Sequence, residues 1–96
     1  MPTDSACRGL NFAYDPAKSA ANHDKHGIDF VAAQALWADP QLVEIAARTQ
    51  DEPRFLVTGL IGAQHWTAVV TYRGGGVRII SVRRARQREI EAYESD

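Results

Sequence analysis

The chain has 96 residues, which suffices for one domain and is too short for two independent cores. Hydrophobic residues make up 45% of it and charged residues 24%, and this composition excludes a wholly disordered chain. The formal net charge of −1 favours no class of partner, and no apolar run approaches the roughly 18 residues that a membrane span needs. The N-terminus also lacks a signal-peptide pattern, so we expect a cytoplasmic protein with no membrane partner.

The charges are distributed unevenly along the chain. Residues 1–72 hold five basic and eight acidic side chains, and residues 89–96 hold four acids and no base. Between them lies a block of six arginines without an acid: Arg73, Arg78, Arg83, Arg84, Arg86 and Arg88. Such a block can attract phosphate groups although the molecule is nearly neutral, but it is equally typical of a solvated strand edge and helix face.

Residues 1–10 lack periodicity and predict a flexible leader before a single domain over residues 11–96. Cys7 is the only cysteine of the chain, so an intramolecular disulfide is impossible and a reducing compartment fits. We interpret Cys7 as a spectator thiol rather than a nucleophile.

The first predicted elements are a short strand over Asn11–Tyr14 and a helix that follows it. Asp15 is a typical N-cap and Pro16 a typical first helical residue. Gly27 predicts a left-handed stop, preceded by basic residues in the last turn.

A second helix is predicted over Phe30–Ala38, capped by Asp29 and ended by the Asp39-Pro40 pair. Its apolar stripe consists of Phe30, Ala33 and Trp37.

The rest of the chain predicts a series of strands followed by a final helix. In order, we expect a strand over Gln41–Ala46, a polar turn over Arg48–Pro53, strands over Phe55–Leu60 and His65–Tyr72, a turn at Gly74–Gly76, a returning strand over Val77–Val82 and a helix over Arg84–Glu94. The predicted fold class is α+β, with two N-terminal helices and a C-terminal helix packed on an antiparallel meander.

The residues offer no metal site, because His23, His26 and His65 are scattered and no second cysteine exists. The glycines at 74–76 join two strands, so they are a hairpin turn and not a dinucleotide-binding loop.

What remains is a set of cations and titratable groups suited to phosphodiester chemistry. RNA cleavage without a metal needs a base for the 2′-hydroxyl, a proton for the leaving 5′-oxygen and positive charge at the phosphorane. The candidate catalytic residues are Lys25, His26, Arg54, Tyr72, Arg83, Arg84, Glu89 and Tyr93, and the candidate RNA-binding residues are Arg73, Arg78, Arg86 and Arg88. We prefer His26 for proton transfer because imidazole titrates near neutral pH. Each candidate also has a purely structural interpretation, for example as a cation at a helix C-terminus or as an aromatic residue of the core.

The chain resembles the BrnT family of type II toxins in an ordered series of motifs over residues 11–94. They are 11-NFAYDPAK-18, Asn22, 25-KHGI-28, Phe30 with Ala33, 39-DP-40, 51-DEPRF-55, Gly59, 69-VVTYR-73, 77-VRIISVRRA-85, 88-RE-89 and 93-YE-94. One departure is the start of the second helix, 29-DFVAA-33, where the family often has Ser/Thr-Phe-Glu-Glu-Ala.

The resemblance implies a RelE-like fold and a ribonuclease activity that inhibits translation, and we expect no cofactor. It also implies neutralisation by a BrnA-like DNA-binding antitoxin, as a heterotetramer that contacts operator DNA only through the antitoxin. An alternative is a degenerate, non-catalytic toxin that acts as an antitoxin-binding corepressor. A third reading is a stand-alone RNA-binding module that uses the arginine block and Trp66.

Overall fold

The computed structural model describes residues 11–47 and 52–95. The predicted leader with Cys7, and residues 48–51 of the predicted polar turn, lie outside the described residues. The described part of the chain is α+β, with helices packed on a mixed sheet.

The sheet has five strands in the described residues, in the order β1-β5-β4-β3-β2. Their bounds are β1 Phe12–Ala13, β2 Val43–Ala47, β3 Arg54–Ile61, β4 Gln64–Arg73 and β5 Gly76–Arg84. Strands β2 to β5 form the predicted antiparallel meander. The prediction of a wholly antiparallel sheet is wrong at one edge, because β1 runs parallel to β5. These two strands are far apart in the sequence, so no hairpin forces them to be antiparallel.

The helices begin and end close to their predicted signals, with two corrections. Helix α1 covers Pro16–His26, begins at the Asp15 cap and ends at Gly27, which has φ +82°. The second helical segment is a single α-helical turn, α2 at Phe30–Ala33, continued by a 3₁₀ helix over Gln34–Ala38.

The final helix, α3, covers Gln87–Glu94 rather than the predicted Arg84–Glu94. Arg84 still belongs to β5, where it pairs with Trp66 of β4, and Arg86 is the N-cap.

The hydrophobic core lies between one face of the sheet and the first two helical segments. The predicted stripe of Phe30, Ala33 and Trp37 is buried, which confirms that prediction. The sheet contributes Val57, Ala68, Val70, Val77, Ile79 and Val82. We call this the core face of the sheet, and the opposite one the outer face.

A β-bulge in β5 interrupts the alternation of its side chains. Val70 pairs with Ile79 and Val69 with Ser81, so Ile80 has no partner of its own. Consequently Val77, Ile79 and Val82 all reach the core, although a regular strand would place Ser81 there instead of Val82. The bulge therefore shifts every later residue of β5 to the opposite face.

Two buried polar side chains fasten α1 to its neighbours. Asn22 donates from Nδ2 to the Ile28 carbonyl at 2.8 Å and accepts the Val82 N–H at 3.1 Å. Ser19 accepts the Phe30 N–H at 2.9 Å. The Asn22 bonds hold the C-terminal half of α1 beside the edge of β5, and the Ser19 bond ties the N-terminal half to the start of α2.

No helix among the described residues combines the length and apolar character required to cross a membrane.

Candidate functional site

A groove of about 490 Å³ lies between α1 and β5. The helix contributes residues three, four, seven and eight positions apart, which share one helical face. The bulge of β5 supplies the opposite wall. The groove is lined by Lys18, Ala21, Asn22, Lys25, His26, Ile80, Ser81, Arg83 and Arg86.

A second groove, of about 780 Å³, lies on the outer face of the sheet between β2, β3 and the start of α3. One wall is apolar and the other is basic. It is lined by Ile45, Ala46, Ala47, Leu56, Arg83, Arg86, Gln87, Arg88 and Glu89. Arg83 and Arg86 line both grooves, so the two grooves are adjacent at these residues, and we call the pair the double groove.

The double groove is strongly basic. Of the described residues that line it, five are lysine or arginine, one is histidine and one is an acid, Glu89. That acid is already paired within the wall, so the surface offers net positive charge to a ligand. The sequence-predicted residues that meet here are Lys25, His26, Arg83, Arg86, Arg88 and Glu89.

Arg83 and Glu89 form a two-pronged ion pair at the centre of the double groove. Arg83 donates from Nη1 to Glu89 Oε1 at 2.7 Å and from Nη2 to Oε2 at 2.8 Å. The bond from Arg83 lowers the pKa of Glu89 to about 2, against burial, which raises it, and with help from the Arg86 N–H and the Thr67 hydroxyl. In turn the bond to Glu89 raises the pKa of Arg83. At neutral pH both groups are therefore charged.

The pairing leaves one edge of the Arg83 guanidinium for a ligand. Nη1 also donates to the Arg84 carbonyl at 3.3 Å, so three of the five N–H groups are engaged within the described residues. The other two are Nε–H and the second Nη2–H, which lie on the same edge of the plane. Such an edge fits two oxygens of a phosphate group.

Arg84 lies on the other face of the sheet from Arg83. Its guanidinium carbon is 5.4 Å from the centre of the Trp66 ring, in a cation–π contact. It does not line the double groove.

Tyr93 also has its partners away from the double groove. Its hydroxyl donates to Asp39 Oδ2 at 2.6 Å, and its ring meets His65 edge-on at 5.3 Å. The bond to Asp39 raises the pKa of Tyr93 to about 12, so the hydroxyl keeps its proton at neutral pH. Asp39 further accepts the Leu60 N–H at 2.9 Å, which ties α3 to the end of β3.

Tyr72 and Arg73 lie at the end of β4, each beside an acid. The Tyr72 hydroxyl donates to Glu44, and burial together with this bond raises its pKa. Arg73 pairs with Glu52, with Nε 2.8 Å from Oε2.

The last two candidates lie elsewhere on the sheet. Arg78 lines a smaller cavity of about 180 Å³ at the β1–β5 edge, together with Arg73. Arg54 is exposed at the start of β3, opposite Ala47 of the second groove.

Sequence reasoning missed two residues of this region. Lys18 lines the first groove, and its spacing from Asn22 and Lys25 on one helix face was an available signal. Thr67 donates to Glu89 Oε1 at 3.0 Å from beneath the second groove. No sequence pattern indicated Thr67, because its contact with Glu89 depends on how the strands are paired.

The described residues contain no group of three His, Cys, Asp or Glu side chains placed to hold a metal ion.

Comparison with known proteins gives one family. The model of the BrnT ribonuclease toxins of type II toxin–antitoxin systems matches residues 14–89, which span α1, the strands from β2 to β5 and the first turn of α3. No curated protein gives a significant match to the chain.

Proposed function

Because the chain belongs to the BrnT family of ribonuclease toxins of type II toxin–antitoxin systems, we propose that its double groove binds and cleaves RNA. The observation that carries this proposal is the meeting of Lys25, His26, Arg83 and Arg86 at one basic surface. The RelE-like relationship that the sequence motifs imply belongs to the same proposal.

The proposed reaction is an attack of the 2′-hydroxyl on the adjacent phosphorus. The O2′–P bond forms and the P–O5′ bond breaks, so the 2′-oxygen loses a proton and the 5′-oxygen gains one. His26, at the end of α1, accepts the proton of the 2′-hydroxyl as general base, and water supplies the proton to the 5′-oxygen. The free edge of Arg83 holds two phosphate oxygens, and Arg86 adds a second cation, so the charge of the phosphorane is stabilised without a metal ion.

Glu89 serves this reaction by orienting Arg83. A carboxylate with a pKa of about 2 does not donate a proton near neutral pH and is a weak base. Its two oxygens fix the guanidinium plane, and that fixed plane determines where the free edge lies. Lys18, Lys25 and Arg88 then bind flanking phosphates. A role for Arg54, Tyr72, Arg84 and Tyr93 in the chemistry, and for Arg73 and Arg78 in binding, stays a prediction from the sequence.

The proposed physiological role is that of a cytoplasmic toxin that inhibits translation. Its proposed partner is a BrnA-like DNA-binding antitoxin in a heterotetramer, which reaches operator DNA through the antitoxin alone. Expression of the chain alone is then expected to arrest growth, and co-expression of the neighbouring gene is expected to restore it. Normal growth at verified expression would instead favour the non-catalytic corepressor.

The decisive test of the chemistry is cleavage of RNA by the purified protein in EDTA. We expect cleavage to persist and to leave a 2′,3′-cyclic phosphate or the 3′-phosphate derived from it. Cleavage that is lost in EDTA, restored by Mg²⁺ or Mn²⁺ and that leaves 3′-hydroxyl ends would overturn the metal-independent mechanism.

A further inference from the structure

Glu89 is a charged group in an almost fully buried position, with 7% of its surface exposed. A buried carboxylate is costly unless its oxygens are occupied by donors. Oε2 accepts from Arg83, whereas Oε1 accepts from Arg83, the Arg86 N–H and the Thr67 hydroxyl. Three elements, β4, β5 and the start of α3, thus converge on one oxygen.

Thr67 lies directly across the strand pair from Arg83, and Thr58 lies directly across from Thr67 on the other side. Residues paired in this way share a face of the sheet, so the three side chains form one row on the outer face. Both threonines are buried, at 1% exposure or less. Their hydroxyl oxygens are 2.7 Å apart.

The direction of these hydrogen bonds follows from counting protons. A hydroxyl has one proton to donate, and Glu89, as a carboxylate, can only accept. The Thr67 proton is therefore committed to Glu89 Oε1. In the contact between the two threonines, where the geometry allows either donor, Thr58 must then donate to Thr67. The result is a one-way chain from Thr58 through Thr67 to the carboxylate that holds Arg83.

This chain distinguishes the Arg83–Glu89 pair from an ordinary surface ion pair, in which two long side chains move freely and gain little. The donors beneath Glu89 come from the central strands of the sheet, and threonine is stiff about χ1. Removal of the Thr67 hydroxyl would take away one of the four hydrogen bonds that hold the carboxylate and would thereby loosen the setting of Arg83.

We propose that Thr67, supported by Thr58, is a positioning residue for RNA cleavage, because it fixes Glu89 and thereby the free edge of Arg83. The inference rests on the proposed function of the double groove, which it deepens. Arg83 contacts the reacting phosphate in that proposal, and the threonines act only through it.

The test compares three variants of the full chain: Thr67→Val, Thr67→Ser and Thr71→Val. Thr71 is the matched control, because it is also a buried threonine of β4, but its hydroxyl donates to the Pro53 carbonyl at 2.8 Å. We expect Thr67→Val to lower kcat about tenfold or more with a smaller change in KM, since small misplacement of a group acting in the transition state is costly. Thr67→Ser, which keeps the hydroxyl, is expected to restore kcat, and Thr71→Val to leave it near wild type.

An equal loss of kcat in Thr67→Val and Thr71→Val would overturn the proposal, because it would reflect general loosening of β4. A folded Thr67→Val protein with the kcat of wild type would overturn it too. If Thr67→Val does not fold, Thr58→Val decides, because it breaks the chain one bond earlier. A lowered kcat then supports the proposal and an unchanged kcat overturns it.

A readout without RNA separates this inference from the proposed function. The Nε–Hε signal of Arg83 in ¹⁵N NMR spectra reports the setting of the guanidinium directly. We expect Thr67→Val to shift or broaden this signal and Thr71→Val to leave it unchanged. An Arg83 signal unmoved by Thr67→Val overturns the positioning chain. If Thr67→Val shifts the signal but the wild-type protein cleaves no RNA, the proposed function alone is overturned.

Discussion

Arg83 and Arg84 are adjacent in the chain, yet they belong to different regions of the molecule. Arg83 lies on the outer face of the sheet, where Glu89 holds it and where it lines the double groove. Arg84 lies on the core face, over Trp66. The sequence presents them as one basic pair, but neighbouring strand residues point to opposite faces.

The comparison extends to the other candidates. On the Arg83 side, basic groups from α1, β5 and α3 converge and only one acid is present among the described lining residues. Away from the double groove, Tyr93 and Tyr72 each donate to an acid, Asp39 and Glu44. Groups whose polar atoms are satisfied within the protein stabilise the fold, whereas a partly unsatisfied, rigidly held cation is available to a ligand. The predictions below test this division.

The largest difference is expected between the single variants Arg83→Ala and Arg84→Ala. Loss of Arg83 removes a fixed donor from the phosphorane and should lower kcat by about 10²–10³-fold. Loss of Arg84 removes only the contact with Trp66 and should change kcat by no more than about threefold. The measurement is single-turnover cleavage of a labelled oligoribonucleotide, with circular dichroism as the control of folding. Equal losses in the two variants would break the division between the faces.

His26→Gln should reduce kcat by about 10²-fold, the lower end of the range for a general base. The control is His23→Gln, which changes an exposed histidine of the same helix that does not line the groove. The measurement is single-turnover cleavage, with circular dichroism as the control of folding. If both variants cleave at the wild-type rate, the proton is transferred by another group.

The Arg83–Glu89 pair should make the fold sensitive to acid. Glu89 has a pKa of about 2 in the folded protein against an ordinary value of 4.5, so its contribution to stability is present above about pH 5 and is lost as the pH falls toward 2. Over that pH range the free energy of unfolding of the wild type should fall by roughly 2–3 kcal/mol relative to that of Glu89→Gln.

Urea unfolding at a series of pH values measures this difference. Glu91→Gln is the control, because Glu91 is an exposed acid of the same helix that bonds only Gln87 among the described residues. A stability difference between wild type and Glu89→Gln that stays constant with pH would contradict a lowered pKa.

The smallest effects on cleavage are expected from Tyr93→Phe and Tyr72→Phe. Each removes a hydroxyl that donates to an acid outside the double groove. We expect kcat to stay within about threefold of wild type. Stability should fall slightly in each variant, because one hydrogen bond is lost. A large loss of kcat with intact folding in either variant would support the catalytic role that the sequence predicts for that tyrosine.

Local signals determined much of the secondary structure. The Asp15 cap, the Gly27 stop and the two glycines of the β4–β5 turn, which have φ +55° and +81°, lie where backbone rules place them. The apolar stripe of the second helical segment identified its buried face. The start of α3 was misjudged because nothing local ends β5 at Arg84, where pairing with Trp66 continues the strand.

The candidate site was only partly readable from the sequence. Composition indicated the arginine block and helix rules placed Lys25 and His26 at the end of α1, because both depend on residues close together in the chain. The junction of the two grooves depends on residues that are far apart. Asn22 holds α1 against the Val82 N–H at the edge of β5, a contact sixty residues away in the chain that no local pattern encodes.

The sequence by itself determined that a basic block extends from the last hairpin into the final helix, but the tertiary structure decided which arginine enters the groove. Regular alternation from Val77 and Ile79 would place Ser81 and Arg83 on the core face. The bulge at Ile80 reverses this order, because pairing of Val69 with Ser81 and of Val70 with Ile79 leaves one residue over. Val82 thereby fills the core and Arg83 reaches Glu89 on the outer face. The register of a strand is set by its pairing with the neighbouring strand. The bulge at Ile80 therefore follows from the pairing of β4 with β5 and not from the sequence of β5 alone.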